Sequence, residues 1–289
     1  MAGPAPRVAG HPTPAGRAPA RHAGPDAPAS GRRAAANPLR PDRPHRRPPR
    51  RPAFAMNDIL DSDTPPARVL LRQAGAFVAA RAIVLVANLL TGVRAIWSGT
   101  TPVAETTLYF ANHSSHGDFV LVWATLPPDL RAITRPVAGQ DYWLASRLRR
   151  FIGQDVFNAL MIRRDGSGAA GSTAANPVEQ MVQALEAGDS LIMFPEGTRN
   201  TGDAVMLPLK SGLFHIARAC PQVRLVPVWI ENLRRVLPKG QLVPVPLACS
   251  VRYGAPVVLA DGEDKAAFLA RAQQAMLDLR PDHDKAEER

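Results

Sequence analysis

The sequence predicts an α/β fold: a mixed central sheet covered by helices, preceded by a membrane-interface helical segment and a disordered N-terminal tail. Three observations carry this reading. From about residue 105, short apolar runs alternate with amphipathic helical ones. A dense apolar stretch, residues 67–98, comes before them. Ahead of that, Ala, Arg, Pro and Gly supply 43 of the first 55 residues, with no apolar periodicity. The chain thus divides into a tail over 1–60, an interfacial helix or helical hairpin over 61–100, an α/β domain over 101–280 and a charged tail over 281–289.

The tail distorts the charge of the whole. The 289 residues carry a formal net charge of +10, a balance that by itself points to nucleic acid. Residues 1–55 hold 11 Arg against two acids, Asp26 and Asp42, whereas residues 56–289 hold 24 Lys and Arg against 23 acids. The body is nearly neutral, and no nucleic-acid partner is expected for it. Met56 opens the segment MNDILDSD just before the first patterned stretch, and translation is expected to start there. A secretory leader is not expected, because no apolar run follows the early charges. Cys220 and Cys249 match no metal or redox spacing and read as small core residues in a reducing compartment.

Within residues 67–98, Arg68, Arg72, Arg81 and Arg94 interrupt the apolar run, and the longest clean piece, Ala82–Val93, has 12 residues. A spanning helix needs about 20. A helix or bent hairpin in the membrane interface, its arginines reaching headgroups, fits better, and an ordinary buried helix is the competing reading. Strands are predicted at Leu108–Ala111, Ile133–Ala138, Phe157–Ile162, Ser190–Phe194, Leu225–Ile230 and Ala248–Tyr253. Helices are predicted at His116–Ala124, Tyr142–Phe151, Pro177–Ala187, Lys210–Ala219 and Asp264–Leu279. Residues 165–176, DGSGAAGSTAAN, read as a surface loop suited to a lid.

Two polar segments sit where strands end. Asn112-His113-Ser114-Ser115-His116-Gly117-Asp118 follows the first of these strands and leads into an apolar helix. Across such a turn His113 and Asp118 come within hydrogen-bond reach. The carboxylate then fixes the imidazole tautomer and leaves the other ring nitrogen free to take a proton from an alcohol. A metal-dependent hydrolase using His113, His116 and Asp118 is the alternative of another class, although the spacing matches no familiar zinc pattern. His116 alone reads as a surface or capping residue at the helix start. The second segment, Phe194-Pro195-Glu196-Gly197-Thr198-Arg199-Asn200, follows the strand SLIMF. Glycine lets backbone approach a ligand, and Arg199 offers a planar donor fork suited to phosphate. A plain Pro-Gly turn with a solvated ion pair is the bland alternative.

Together the segments resemble the glycerophospholipid acyltransferase family, which includes the 1-acyl-glycerol-3-phosphate acyltransferases. The family's NHxxxxD block is matched by Asn112, His113 and Asp118, and its FPEGTR block by Phe194 through Arg199. A block of the form GxxFIxR is matched loosely, with Asn158 in the glycine position, Met161 for Phe and Arg164 in the Arg position. Val226-Pro227-Val228 matches the fourth block. The resemblance spans about residues 105–230.

The resemblance implies an O-acyltransferase moving a fatty acyl group from acyl-CoA or acyl-carrier protein to the free hydroxyl of 1-acyl-glycerol-3-phosphate, giving phosphatidic acid. Another lysophospholipid or a lyso-ornithine lipid is the alternative acceptor. His113 would be the general base and Asp118 its orienting partner. Arg164, Glu196, Gly197, Thr198 and Arg199 would form the acceptor site, with backbone N–H groups near Gly197 polarising the thioester. No cofactor or metal is expected. The implied location is the cytoplasmic face of the inner or plasma membrane, monotopic or peripheral. Arg131, Arg135, Arg147, Arg149, Arg150, Arg163 and Arg164 form the most basic part of the body, read either as a solvated face or as a surface toward anionic headgroups or an acidic carrier protein.

Overall fold

A computed structural model describes residues 66–163, 176–231 and 249–281. The N-terminal tail, Arg164, nearly all of the 165–176 loop and the C-terminal tail lie outside the described residues.

Strands in the middle of the chain are apolar along their whole length, the pattern of a parallel sheet covered on both faces. β2 (Thr107–Ala111), β5 (Ser190–Met193) and nearly all of β6 (Arg224–Glu231) are buried. With β1 (Arg94–Trp97), β3 (Thr134–Gly139), β4 (Leu160–Ile162) and β7 (Ser250–Tyr253) they form one seven-stranded sheet in the order β1-β7-β6-β2-β5-β3-β4. Every pairing is parallel except β6 with β7.

Alternation along the strands splits the core in two. Tyr109, Ala111, Ile192, Val226, Val228 and Ile230 face the helical layer that contains α1 (Pro66–Thr91) and α2 (Asp118–Thr125). Leu108, Phe110, Leu191, Met193, Leu225 and Trp229 face α6 (Pro177–Glu186), α7 (Gly212–Ala219) and α8 (Lys265–Leu277). Local chemistry sets the helix ends. Asn176 accepts from Val178 N–H at 3.0 Å while Glu179 accepts from Asn176 N–H at 3.2 Å, and Asp264 caps α8 through Ala266 and Ala267.

Three expectations change. Residues 66–91 form one helix, not a hairpin, and 94–97 are not helical. Gly92, at φ +52°, closes α1 by donating to Asn88 O at 2.8 Å, and Arg94–Trp97 then join the sheet beside β7. The helix expected over Tyr142–Phe151 is split. α4 (Gln140–Trp143) stops, and Ser146 caps α5 (Arg147–Phe151), which runs into a π-helical turn over Ile152–Val156. A short helix not expected from sequence, α3 (Pro128–Ile133), precedes β3. Elsewhere the six expected strands and remaining helices lie within a few residues of their expected ends.

Only a narrow stripe of α1 packs on the domain: Ala76 and Ala87 are buried, with Ala80, Ile83 and Val84 against the core. The Arg72 guanidinium bonds Asp155 at 2.8 Å. The remainder is apolar and open, with Leu71 72% and Leu89 75% exposed. By length and composition α1 is able to cross a membrane.

Candidate active site

Because β2 and β5 are adjacent and parallel, the segments that follow them emerge side by side at the carboxyl edge of the sheet. Phe110 is in register with Met193, so residues 112–118 and 194–200 begin together. In open α/β sheets this edge is where ligands bind.

Asn112 starts the turn by replacing a missing rung of the ladder. Its side-chain oxygen accepts from Ile230 N–H at 2.7 Å and its amide donates to Ile230 O at 3.1 Å. Asp118 opens α2, where the N-terminal dipole favours a negative charge. One carboxylate oxygen, Oδ2, accepts from His113 Nδ1 at 2.8 Å, Ser114 N–H at 2.6 Å and Ser115 N–H at 2.8 Å. The carboxylate is buried, whereas the His113 side chain stays 16% exposed. With Asp118 holding Nδ1–H, Nε2 carries the lone pair, and the ring is pinned flat on Phe194 at a centroid distance of 4.1 Å. The expected juxtaposition of His113 and Asp118 is present.

The FPEGTR segment holds His113 from the other side. Glu196 is 2% exposed, with Oε1 accepting from His113 N–H at 2.7 Å and Oε2 from Leu207 N–H at 2.9 Å. Asn200 N–H donates to the His113 carbonyl at 2.7 Å. Burial pushes the Glu196 carboxyl above its ordinary value, opposed by those two N–H bonds. Glu196 therefore braces two loops through both of its carboxylate oxygens. Gly197 N–H donates to Phe194 O at 3.0 Å, closing the turn. Gly197, Thr198 and Arg199 are exposed beside His113's loop, and the Arg199 side chain has no partner among the described residues.

The other expected residues disperse. His116 stacks on Tyr142 at 5.7 Å, and no three metal-ligating side chains converge among the described residues, so His113, His116 and Asp118 do not form a ligand set. Arg131 donates to the Trp123, Ala124 and Leu126 carbonyls, and Arg135 pairs with Asp189 and Asn158 O. Both are structural, which reduces the basic face among the described residues to exposed Arg147, Arg149, Arg150 and Arg163, Arg149 lying over Tyr142. Asn158 takes φ +47°, the left-handed region that favours glycine. A glycine position filled by Asn, which tolerates that conformation, is consistent with the register that aligns Arg164.

Residues 94–231 match the acyltransferase family model. A comparison with curated proteins finds no match. Among solved structures, the crystal structure of the 1-acyl-sn-glycerophosphate (LPA) acyltransferase PlsC from Thermotoga maritima is similar at 19% identity and a TM-score of 0.55, over 82% of this chain and 86% of that one. The chain carries an acyltransferase domain over residues 94–231, in a fold similar to that of PlsC. It is an O-acyltransferase, and the matched region contains every strand of its sheet except β7. Sequence reasoning missed two residues that pack on these loops. Asn200, directly after the FPEGTR block, clamps His113; Lys210, assigned to a helix, lies instead in the segment before α7 and reaches back over Gly197.

Proposed function

We propose that this acyltransferase transfers a fatty acyl group from an acyl thioester to the free hydroxyl of 1-acyl-glycerol-3-phosphate, producing phosphatidic acid. The observation that carries the reading is the buried Asp118 carboxylate bonded to His113 Nδ1 while Nε2 stays open at the sheet's carboxyl edge. His113 Nε2 takes the hydroxyl proton as the oxygen attacks the thioester carbonyl carbon. The new C–O bond forms, the C–S bond breaks, and the imidazolium returns the proton to the departing thiolate. Asp118 stabilises the imidazolium and holds the tautomer. No acyl-enzyme is required, because a thioester is already activated and the task is to align two substrates.

The acceptor headgroup lies against Thr198 and Arg199, with Arg164 as a further cation, and Glu196 contributes by position alone. The acyl donor is acyl-CoA or acyl-carrier protein, approached past the exposed arginines of α5. Residues 101–280 form the catalytic domain, to which Arg94–Trp97 contribute an edge strand. α1 lies in the membrane interface at the cytoplasmic face, its apolar side in lipid and its alanine stripe on the domain. Such a position lets the enzyme draw lyso-lipid from the bilayer.

The test supplies purified protein with a panel of lyso-lipids and both thioester donors, and identifies products by mass. Phosphatidic acid from lysophosphatidic acid, absent in His113→Ala, is the expected result. Wild-type turnover in His113→Ala ends the proposal, as does product from every acceptor except lysophosphatidic acid.

A further inference from the structure

Gly197 has φ +72°, and a Cβ placed there would lie 2.6 Å from both Cε and Nζ of Lys210 and 2.7 Å from its Cδ. The outer part of the lysine chain is therefore laid across the glycine. Its backbone fixes the approach, since Lys210 N–H donates to Pro195 O at 2.8 Å. Among the described residues, neither the Lys210 ammonium nor the Arg199 guanidinium has an ion-pair partner, and the N–H groups of Thr198 and Arg199 meet no acceptor. A left-handed glycine followed by N–H groups with no acceptor among the described residues offers an anion-binding concavity, with the Lys210 chain laid over it and Arg199 two residues further on.

We propose that Lys210 is a second cation of the headgroup site, and that with Arg199 it selects a phosphate monoester over a phosphodiester. A monoester carries about −1.5 to −2 charges at neutral pH, so a second cation gains energy from it that a singly charged diester does not return. A φ of +72° favours glycine at 197, and a Cβ there would also push the ammonium aside. This inference rests on the reading that the 194–200 loop receives the acceptor headgroup. The recognised chemistry, a dianionic monoester, also occurs as the 3′-phosphate of coenzyme A.

The experiment compares full-length wild type with Lys210→Gln and Lys210→Arg. Lys210 is exposed, so melting temperatures should coincide. In Lys210→Gln, KM for lysophosphatidic acid should rise about tenfold, with kcat, KM for a lyso-phosphodiester acceptor and KM for the acyl donor unchanged; Lys210→Arg should restore the monoester preference. An equal rise for both acceptors, or none for the monoester, overturns the inference. A rise confined to acyl-CoA, absent with acyl-(dephospho-CoA), places the monoester on the donor and also overturns it. Titration with glycerol 3-phosphate, without donor, separates the two readings. Binding weakened about tenfold in Lys210→Gln, in a protein that makes no phosphatidic acid, supports the site and rejects the acceptor. Phosphatidic acid synthesis unaffected by Lys210→Gln rejects the site alone.

Discussion

At the scale of single residues, the catalytic proposal concentrates on one hydrogen bond, His113 Nδ1 to Asp118 Oδ2 at 2.8 Å. Replacing Asp118 by Asn keeps the shape and removes the charge that favours the imidazolium, so kcat should fall by about 10⁴, as an Asp–His pair of this kind requires. Steady-state rates with a matched circular-dichroism spectrum check it, and a loss below tenfold would contradict the dyad. Glu196 makes a different prediction because both its oxygens accept backbone N–H groups. In Glu196→Gln one amide nitrogen faces a donor, which should cost about 1–3 kcal/mol in denaturant unfolding and lower kcat by loosening His113. Burial raises this carboxyl above 4.5. Folded protein then holds the proton more tightly than unfolded chain, so wild-type stability declines as pH climbs from 4.5 through the folded value. Glu196→Gln should lack that decline when unfolding midpoints are compared between about pH 4 and pH 7. Cys220 and Cys249 are buried and not disulfide-bonded, and burial, aided by Glu231 and Asp118, pushes the Cys249 thiol to about 11. Neither should react with iodoacetamide at about pH 8 in native protein; rapid labelling would show that the layer around Cys249 opens.

At the scale of elements, α1 is the most exposed part of the described fold. A packed alanine stripe and an open leucine face on one helix separate attachment from membrane contact. Leu71→Glu combined with Leu89→Glu should abolish sedimentation with anionic vesicles while leaving the melting temperature unchanged, since both side chains are largely in solvent. Ala87→Leu should do the reverse, forcing bulk against α2 and the sheet at a cost of about 1–3 kcal/mol. Retained vesicle binding in the double Glu variant would remove α1 as the contact. β1 was hidden for a related reason. Its sequence, RAIW, continues an apolar run, and only the Thr91-Gly92 break marks where a helix yields to a strand.

At the scale of the molecule, charge and catalysis are segregated. Nine net positive charges lie in residues 1–55 and one in the remainder. A protein comprising residues 56–289 should therefore retain full kcat and KM for the lyso-lipid, and lose only the salt-sensitive part of its adsorption to anionic surfaces. A large fall in kcat on removing residues 1–55 would make the tail part of the enzyme.

The α/β class and the pairing of His113 with Asp118 were legible in the chain, because alternating strand and helix patterns and a strand-to-helix turn are local properties. Asn158 stood in a glycine position for a reason equally local, its left-handed φ. The tertiary structure alone decided what crosses between segments. Parallel pairing of β2 with β5 brings two polar turns, some 80 residues apart, to one edge of the sheet. That contact makes Glu196 a brace and recruits Asn200 to the His113 loop. Pairing of β3 with β5 likewise commits Arg135 to Asp189, and the fold lays Lys210 across Gly197. Spacing along a chain fixes which side chains share a turn; which of them remain free to meet a substrate depends on partners brought in from distant segments.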